Sequence, residues 1–289
     1  KLTPKLLHGS VKVPSSKSMG HREIICAALA AGVSIIDNIS LSEDIEATCR
    51  VLKALGIKIK KVESAFAGRT AYLVRGGTLS KPIEALDCGE SGSTLRFMVP
   101  VALLAGGGNF SGRGKLVSRP LQAYYDIFEK QGIVYQTSTQ GGLPLSVEGF
   151  LAGGKFTLPG DVSSQFVSGL LFALPLLTED SEIILTSPLE SQSYVTLTLE
   201  CLGEVMMISE CLAKYGIKII NEDYRKFIIP GKQKYQNRNS EVEGDYSQTA
   251  FWLAAGVLTG KVVCQGVNKY SAQGDKAIVE LLQQMGGQV

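Results

Sequence analysis

Apolar and polar residues recur along the chain in four blocks of one pattern, which predicts a repeated α/β unit. Each block opens with small polar residues, continues as an apolar helix, a turn, a strand and a second helix, and closes at a glycine followed by another strand. From opening to closing glycine, three blocks measure about 42 to 44 residues, and the third is about ten to fifteen residues longer. The opening and closing residues are Pro14 and Gly56, Cys88 and Gly132, Pro159 and Gly216, and Glu243 and Gly286.

Each block is predicted to form a β-α-β-α-β-β unit, and such units bury their helices by stacking around a shared core. In the first block the pattern predicts a helix over Glu23–Ala31, a strand over Ser34–Ile39 and a second helix from residue 42 or 43. The extra length of the third block lies where Glu200-Cys201-Leu202 recurs as Glu210-Cys211-Leu212. The stretch between them, Gly203–Met207, indicates a local insertion or duplication.

Turn-forming residues between the blocks predict hairpins and domain boundaries. Lys60–Gly77 and Tyr135–Leu158 carry the glycines of two hairpins, and the polar stretch Pro230–Ser240 is the best candidate linker. We place one boundary at Glu241–Glu243 and a second crossing at Val13–Ser16. The prediction is a first domain over residues 15–241 and a partial second domain formed by residues 1–14 and 242–289.

The first block opens on a stretch with the chemistry of an anion site. Ser15, Ser16 and Ser18 supply hydroxyl groups where a helix begins, and a helix start offers unpaired N–H groups and a partial positive charge. Lys17 adds a point charge and Arg22 a planar guanidinium, which together favour a doubly anionic ligand. The alternative is an ordinary capped helix with solvated basic residues.

Polar residues stand at comparable positions in the second and third blocks. A glycine lets a ligand approach the backbone, and hydroxyl, amide and guanidinium groups donate hydrogen bonds to phosphate. The alternatives are a loop glycine, a structural ion pair, a plain N-cap and a half-buried core tyrosine. Pro120 suits the first position of a helix, and Cys88 is a poor candidate nucleophile because no histidine lies near it in sequence. The candidate residues are Gly92, Ser93, Arg96, Arg119, Ser163, Ser164, Gln165, Ser191 and Tyr194.

Composition excludes several classes of protein. The chain has 289 residues, of which 45% are hydrophobic and 19% charged, and this is typical of a globular protein with room for two domains. A net charge of +2 argues against a general nucleic-acid or membrane-surface binder. Six scattered cysteines without a CxxC pair favour reduced thiols in the cytoplasm, and two histidines without an HExxH motif argue against zinc. We also expect neither a membrane span nor a signal peptide.

Six motifs in order give the chain a specific resemblance over nearly its whole length. The chain resembles the 5-enolpyruvylshikimate-3-phosphate (EPSP) synthase family of bacterial enolpyruvyl transferases. The motifs are Val13-Pro14-Ser15-Ser16-Lys17-Ser18 with Arg22, Gly89-x-x-Gly92-Ser93-x-x-Arg96, Ser118-Arg119-Pro120, Ser163-Ser164-Gln165, Ser191-x-x-Tyr194 and Glu243-Gly244-Asp245.

The resemblance implies a fold, a reaction and a set of site residues. The fold is the two-domain enolpyruvyl transferase fold of the α/β class, an inside-out α/β barrel, with the second domain incomplete here. The reaction moves the enolpyruvyl group of phosphoenolpyruvate to the 5-hydroxyl of shikimate 3-phosphate and releases phosphate. The resemblance implies no cofactor or metal. We further expect a cytoplasmic monomer with small-molecule partners and neither nucleic acid nor membrane. Because Gly92 lacks a side chain, we also expect room for the inhibitor glyphosate at the phosphoenolpyruvate site, provided that Glu90 does not repel it.

By the same resemblance, shikimate 3-phosphate and phosphoenolpyruvate share Lys17, the candidate catalytic residue. Ser93 and Arg96 are structural beside the site. The other residues at shikimate 3-phosphate are Ser18, Arg22, Ser163, Ser164, Ser191 and Tyr194, and those at phosphoenolpyruvate are Gly92, Arg119 and Gln165.

Two departures from the family pattern define the alternatives. Glu90 stands where the family usually has asparagine, and a carboxylate there repels anions unless it pairs with a cation or points away. The family also continues for about half as long again, with a catalytic aspartate and a Lys-Glu-x-x-Arg motif that these 289 residues lack. Three alternatives follow: a sister transferase acting on UDP-N-acetylglucosamine, a binding fragment without turnover, and an architectural repeat protein without a ligand.

Overall fold

The computed structural model describes residues 6–64, 66, 68–138, 141–203 and 214–289. In those ranges eight α-helices alternate with fourteen β-strands. The helices are α1 Lys17–Leu29, α2 Glu43–Ala54, α3 Gly92–Ala102, α4 Gln122–Gln131, α5 Ser164–Ala173, α6 Gln192–Leu202, α7 Tyr246–Thr259 and α8 Ile278–Gln284. The strands are β1 His8–Lys12, β2 Gly32–Asp37, β3 Lys58–Glu63, β4 Thr70–Gly76, β5 Leu86–Asp87, β6 Gly107–Ser111, β7 Val134–Thr137, β8 Leu145–Glu148, β9 Gly154–Leu158, β10 Ser181–Leu185, β11 Ile220–Glu222, β12 Lys226–Ile229, β13 Ser240–Glu241 and β14 Lys261–Gln265.

Three four-stranded sheets share one topology, which confirms the predicted repeat. Their strand orders are β13-β2-β4-β3, β5-β6-β8-β7 and β9-β10-β12-β11. In each sheet the first two strands run parallel and the remaining neighbours run antiparallel. In the second sheet, α3 connects the parallel strands β5 and β6 and packs against β6, as a parallel connection requires.

The first strand of the first sheet comes from far along the chain. Strand β13 pairs in parallel with β2, with Ser240 opposite Ile36, and strand β1 pairs in parallel with β14 near the other end. The two connecting segments run side by side, because the Ser16 amide donates to the Glu243 carbonyl at 2.7 Å and the Asp245 amide donates to the Pro14 carbonyl at 2.9 Å. The chain therefore crosses twice between the first sheet and the β1–β14 pair.

Helix α1 is enclosed by other elements. Every residue from Met19 to Leu29 is buried, including the polar side chains His21, Arg22 and Glu23. Helix α1 packs against α2 and α6, α3 packs against α2 and α5, and α5 packs against α6. Strands such as β10 alternate buried and half-buried residues, so the sheets lie outside this helical core. The predicted α/β class is confirmed.

The fourth block differs in how far its helix is buried. Helix α7 occupies the position that α1, α3 and α5 hold in their blocks, yet the side chains of Phe251 and Leu258 are 74% and 81% exposed. In the described part of the chain, α7 packs against β14 and α8 and has no equivalent of the surrounding helices of the core.

The closing glycines of the four blocks share one backbone conformation. Each has a positive φ, which a residue with a Cβ adopts only under strain. Gly56, Gly132 and Gly286 directly follow the ends of α2, α4 and α8, where this conformation ends the helix and turns the chain. Gly216 lies beyond the end of α6 at Leu202. The angles are +93° at Gly56, +67° at Gly132, +75° at Gly216 and +88° at Gly286.

Two predicted helix starts are wrong. Helix α1 begins at Lys17 rather than Glu23, because Ser16 caps it by accepting a hydrogen bond from the Met19 amide at 3.4 Å. Helix α4 begins at Gln122, so Pro120 is not its first residue. Arg119 is extended, as the residue before a proline must be, and it follows a short 3₁₀ turn over Gly114–Ser118.

The second predicted hairpin is shorter than expected. Strands β7 and β8 form it, whereas β9, inside the predicted range, crosses to the third sheet and pairs in parallel with β10. The strand expected directly after Gly216 begins three residues later, at Ile220. Residues 204–213, which include most of the predicted insertion and Cys211, lie outside the described residues. Among the helices described, none is long and apolar enough to cross a membrane.

His21 lies in the core beneath the starts of three helices. Its Nδ1 shares a hydrogen bond of 2.8 Å with the Thr48 hydroxyl, which in turn bonds the Thr94 hydroxyl at 2.7 Å. Within the described residues its Nε2 has no hydrogen-bond partner. Burial lowers the pKa of His21 from 6.5 to about 3, and the nearby Asp44 carboxylate opposes this shift only partly.

This burial predicts an acid-sensitive fold. The unfolded chain binds a proton on His21 near pH 6.5 and the folded chain only near pH 3, so stability is complete above pH 6.5 and falls as the pH drops. Between pH 8 and pH 5 we expect a loss of about 2 kcal/mol in the free energy of unfolding.

Urea unfolding at several pH values measures this loss. His21→Gln should flatten the slope above pH 5, whereas His8→Gln, at the exposed second histidine, should leave it unchanged. An unchanged slope in His21→Gln contradicts the assignment.

Candidate active site

The start of α1 places two of the predicted residues at the edge of a cavity. Ser16 is the N-cap, so Lys17 and Ser18 occupy the first turn of the helix. Arg22 lies one turn further on, and its side chain reaches back toward the helix start, where its Nη1 donates to the Ser18 carbonyl at 2.7 Å. The hydroxyl-rich opening thus caps the helix and also presents Ser18.

Arg22 is a buried cation that joins two helices. Only 2% of the residue is exposed. Its Nε donates to the Thr198 hydroxyl at 2.8 Å and its Nη2 to the Tyr194 carbonyl at 2.7 Å, both on α6. Burial lowers its pKa to about 10, which leaves the guanidinium charged at neutral pH. The guanidinium therefore donates to neutral oxygens and forms no ion pair with a described residue, so its charge is available to an anion in the cavity.

The start of α5 supplies hydroxyl and amide groups. Ser163 caps this helix by accepting from the Gln165 amide at 3.3 Å, and Ser164, in the first turn, lines the cavity. The side-chain amide of Gln165 is oriented by two contacts. Its oxygen accepts from Arg96 Nη1 at 2.8 Å and its nitrogen donates to the Ser93 hydroxyl at 2.9 Å. Gln165 therefore connects the start of α5 to that of α3.

The start of α3 brings two arginines close together. A Cβ added to Gly92 would lie 2.9 Å from Arg119 Nη1 and 3.5 Å from Arg96 Nη1, so only glycine leaves both side chains in place. Burial, and then the charge of Arg119, lower the pKa of Arg96. The Arg96 guanidinium also lies 5.1 Å over the Phe166 ring, and its buried Nε lacks a partner among the described residues. Two neighbouring guanidiniums favour an anion between them.

The start of α6 is strained. Ser191 is the N-cap residue with φ 57° and ψ 44°, a left-handed conformation that is uncommon outside glycine and asparagine. Strain of this kind is concentrated at ligand sites. Tyr194, one turn along, is 40% exposed, and burial followed by the Asp275 charge raises the pKa of its hydroxyl. Tyr194 therefore stays protonated at neutral pH and can donate a hydrogen bond.

These four helix starts enclose one cavity of about 460 Å³. Three guanidinium groups line it, and among the described residues no carboxylate does. It is therefore a positive, hydroxyl-rich cavity of a size usual for small-molecule sites. Its lining residues are Ser18, Arg22, Ser93, Arg96, Phe97, Arg119, Val162, Ser163, Ser164, Gln165, Ser191 and Tyr194.

Two predicted residues, Gly92 and Lys17, do not line this cavity. Gly92 lies against the Arg119 guanidinium, which does line it. Lys17 faces a neighbouring cavity of about 240 Å³, which shares Ser18 and Tyr194 with the first and includes Asp245. Its Nζ lies 2.6 Å from Asp44 Oδ2, an ion pair between the starts of α1 and α2. The side chain is therefore held by a carboxylate in this structure, whereas the sequence suggested a mobile charge.

The surroundings of Glu90 and Cys88 show whether the first repels anions from the cavity and whether the second is a nucleophile. The Glu90 carboxylate lies outside the cavity lining, with Oε1 4.0 Å from Arg113 Nε, so it has a cation close by and leaves the field of the cavity positive. Cys88 is fully buried, and burial raises the pKa of its thiol. A buried neutral thiol is a poor nucleophile.

Sequence reasoning missed several residues of the site. Phe97 lines the cavity with the Arg22 guanidinium 5.3 Å from its ring, and Thr198 accepts from Arg22 although 176 residues separate them. Asp44 is an acidic residue in the first turn of α2, a position where carboxylates are common in any protein. Of these residues, only Phe97 could have been found from sequence, because it lies one turn after Ser93 on the predicted helix and therefore on the same face. In the described part of the chain, no cluster of three His, Cys, Asp or Glu side chains could hold a metal.

Comparison with known proteins gives one consistent result. The family model of EPSP synthase (3-phosphoshikimate 1-carboxyvinyltransferase) matches residues 2–289. Proteins named 3-phosphoshikimate 1-carboxyvinyltransferase from Clostridium perfringens and Clostridium kluyveri are each 47% identical to this chain over its whole length. The alignments cover 65% and 64% of those proteins, so the chain spans just under two thirds of their length.

A solved structure agrees with the sequence matches. The EPSP synthase of Acinetobacter baumannii superposes with a TM-score of 0.79 at 25% identity, and the match covers 98% of this chain and 60% of that protein. The predicted fold is thereby confirmed. The repeated sheets, the ordered motifs and the family match together establish that this chain belongs to the EPSP synthase family.

Proposed function

We propose that the cavity binds shikimate 3-phosphate, and that the protein transfers the enolpyruvyl group of phosphoenolpyruvate to its 5-hydroxyl, on the route to chorismate and the aromatic amino acids. The observation that carries this proposal is the convergence of four helix starts and three guanidiniums on one cavity. Helix starts and guanidinium groups bind phosphate and carboxylate, and both substrates carry both groups.

The proposed assignment divides the cavity between the two substrates. Shikimate 3-phosphate takes the side toward α1, α5 and α6, where Arg22 supplies charge and the serines supply hydroxyls. Phosphoenolpyruvate takes the side toward α3, where the absence of a side chain at Gly92 leaves room for the Arg119 guanidinium and Gln165 is held by Ser93 and Arg96. Contacts of Lys17 with either substrate belong to this proposal too, and they require its side chain to turn from Asp44. The other proposed contacts of shikimate 3-phosphate are Ser18, Ser163, Ser164, Ser191 and Tyr194.

The chemistry demands positive charge more than any other property. The family reaction protonates the methylene carbon of phosphoenolpyruvate while the 5-hydroxyl attacks the central carbon, and the tetrahedral adduct then loses phosphate. Fixed donors aimed at the phosphates and the carboxylate stabilise the charges through these steps. Lys17 is our candidate for a role in proton transfer or charge stabilisation, since an ammonium both donates protons and attracts anions.

The proposal extends to the oligomeric state, compartment, cofactor use and domain division of the protein. We propose a monomer in the cytoplasm that uses no metal or organic cofactor, with domains formed by residues 15–241 and by residues 1–14 with 242–289. Two pairings support this division: β1 pairs with β14 near the other end of the chain, and β13 pairs with β2 in the first sheet. The free thiols of the five described cysteines, four of them buried, suit a reducing compartment.

Acceptor choice is the decisive test of this function. Isothermal titration of the 289-residue chain with shikimate 3-phosphate should show binding, and titration with UDP-N-acetylglucosamine should not. The relatives' names favour the shikimate acceptor over the nucleotide sugar. Binding of the nucleotide sugar alone would transfer the assignment to the sister activity. Binding of neither ligand would favour an architectural role.

Ser164→Ala should weaken binding of shikimate 3-phosphate by about tenfold or more, because a hydrogen bond to a charged group contributes about 1.5–3 kcal/mol. Ser164 is in the first turn of α5 and is not its cap, so we expect the melting temperature to change little. Ser10→Ala, at an exposed serine on β1, is the matched control and should bind as the wild type does. Equal affinities in calorimetry for all three proteins would exclude Ser164 from the site.

Gly92→Ala should separate the two substrates. The new methyl group would press on Arg119 Nη1 at 2.9 Å and displace the guanidinium. A misplaced contact of this kind costs about tenfold or more in affinity for phosphoenolpyruvate, measured in the presence of shikimate 3-phosphate. Glyphosate, which we propose competes at the same site, should weaken likewise, whereas shikimate 3-phosphate should bind within about twofold of wild type. An equal loss for all three ligands would point to a general distortion instead.

A further inference from the structure

Lys17 has a carboxylate partner to which the proposed reaction gives no role. Lys17 Nζ and Asp44 Oδ2 are 2.6 Å apart, and the two side chains are 49% and 29% exposed. The ammonium faces the smaller cavity, so it stands beside the guanidinium-lined cavity without entering it. A ligand in the larger cavity can use this charge only if the pair with Asp44 opens.

A hydrogen bond from α3 holds the backbone of Asp44 in place. Asp44 lies in the first turn of α2, and its backbone carbonyl accepts from the Thr94 hydroxyl at 3.3 Å. Thr94 also bonds the hydroxyl of Ser91, the cap of α3, at 2.8 Å, and that of Thr48 at 2.7 Å. The backbone that carries the carboxylate is thus tied to α3, and the aspartate side chain has two rotatable bonds, whereas the lysine side chain has four. When the pair opens, Lys17 therefore has the longer reach toward the cavity.

We propose that Asp44 is a positioning residue that competes with the phosphorylated ligand for the Lys17 ammonium. The proposal rests on the proposed function and adds a regulatory contact to that site. In the free protein the Asp44 carboxylate is paired with the Lys17 ammonium, and an incoming phosphate must displace the carboxylate. A doubly charged phosphate does so more readily than a singly charged anion, because its attraction to the ammonium is greater. Asp44 thereby favours highly charged ligands over small monoanions.

The expected effect follows from the exposure of the pair. Partly exposed ion pairs are weak, so their loss changes a competing equilibrium by only about two- to fivefold. Asp44→Asn keeps the shape of the side chain and removes its charge, and we expect it to bind phosphoenolpyruvate about two- to fivefold more tightly. A residue that only supported the fold would give weaker binding on substitution, so the sign of the change is diagnostic.

A double-mutant cycle with calorimetry tests the inference. Phosphoenolpyruvate, with shikimate 3-phosphate present, and inorganic phosphate alone are titrated into wild type, Asp44→Asn, Lys17→Met and the double variant at low salt. The gain from Asp44→Asn should appear with Lys17 present and vanish with Lys17→Met. Glu43→Gln is the matched control, because it removes a charge one residue away whose partner is Arg113, 3.0 Å distant. It should give no gain.

The Lys17 ammonium signal in ¹⁵N NMR provides a second readout, independent of turnover. It should be protected from hydrogen exchange in the free wild type, lose that protection in Asp44→Asn, and shift when phosphate is added to wild type. Unchanged or weaker binding in Asp44→Asn, or an equal gain with Lys17→Met, would overturn the inference. If phosphate shows the gain but neither proposed substrate binds wild type, the inference stands and the proposed function fails.

Discussion

Helix α1 is buried on every side, and a helix in that position is stable only when other elements enclose it. No single β-α-β-α-β-β unit can enclose its own helix, so three units pack their helices together and place their sheets outside. Because the units share one topology, the helices that follow their first strands begin at the same end. The cavity is a consequence of that packing: it lies where the helix starts meet and where backbone N–H groups are left unpaired.

Burial of charge is the second consequence. Arg22 lies at the contact between α1 and α6 and is paired with neutral oxygens from both helices, not with a carboxylate. Such a cation is costly without an anion and becomes favourable when one binds. Arg96, with an unpartnered Nε among the described residues and Arg119 beside it, has the same property. Carboxylates stand at the margin instead, where Asp44 pairs with Lys17, so the field inside the cavity stays positive although the net charge of the chain is only +2.

Local patterns were sufficient to predict the repeat and most of the cavity. The closing glycines are required by a positive φ, and Ser16 and Ser163 cap helices, so single residues carry those signals. Long-range pairings could not be predicted from local pattern. Strand β13 completes a sheet more than 200 residues away, and Thr198 orients Arg22 across a similar separation. The predicted start of α4 was wrong. Pro120 restricts Arg119 to an extended conformation, and this outweighed the preference of proline for the first turn of a helix.

The central claim is that several helix starts act together on one phosphorylated ligand. Amide hydrogen exchange, followed by mass spectrometry with and without shikimate 3-phosphate, tests it directly because it reports each helix start separately. The account predicts that the ligand slows exchange at residues 16–22, 163–166 and 191–195 together. Exchange around Arg50 and Lys53 on α2, which do not line the cavity, should change little. Protection confined to one of these segments, or found only elsewhere in the chain, would contradict it.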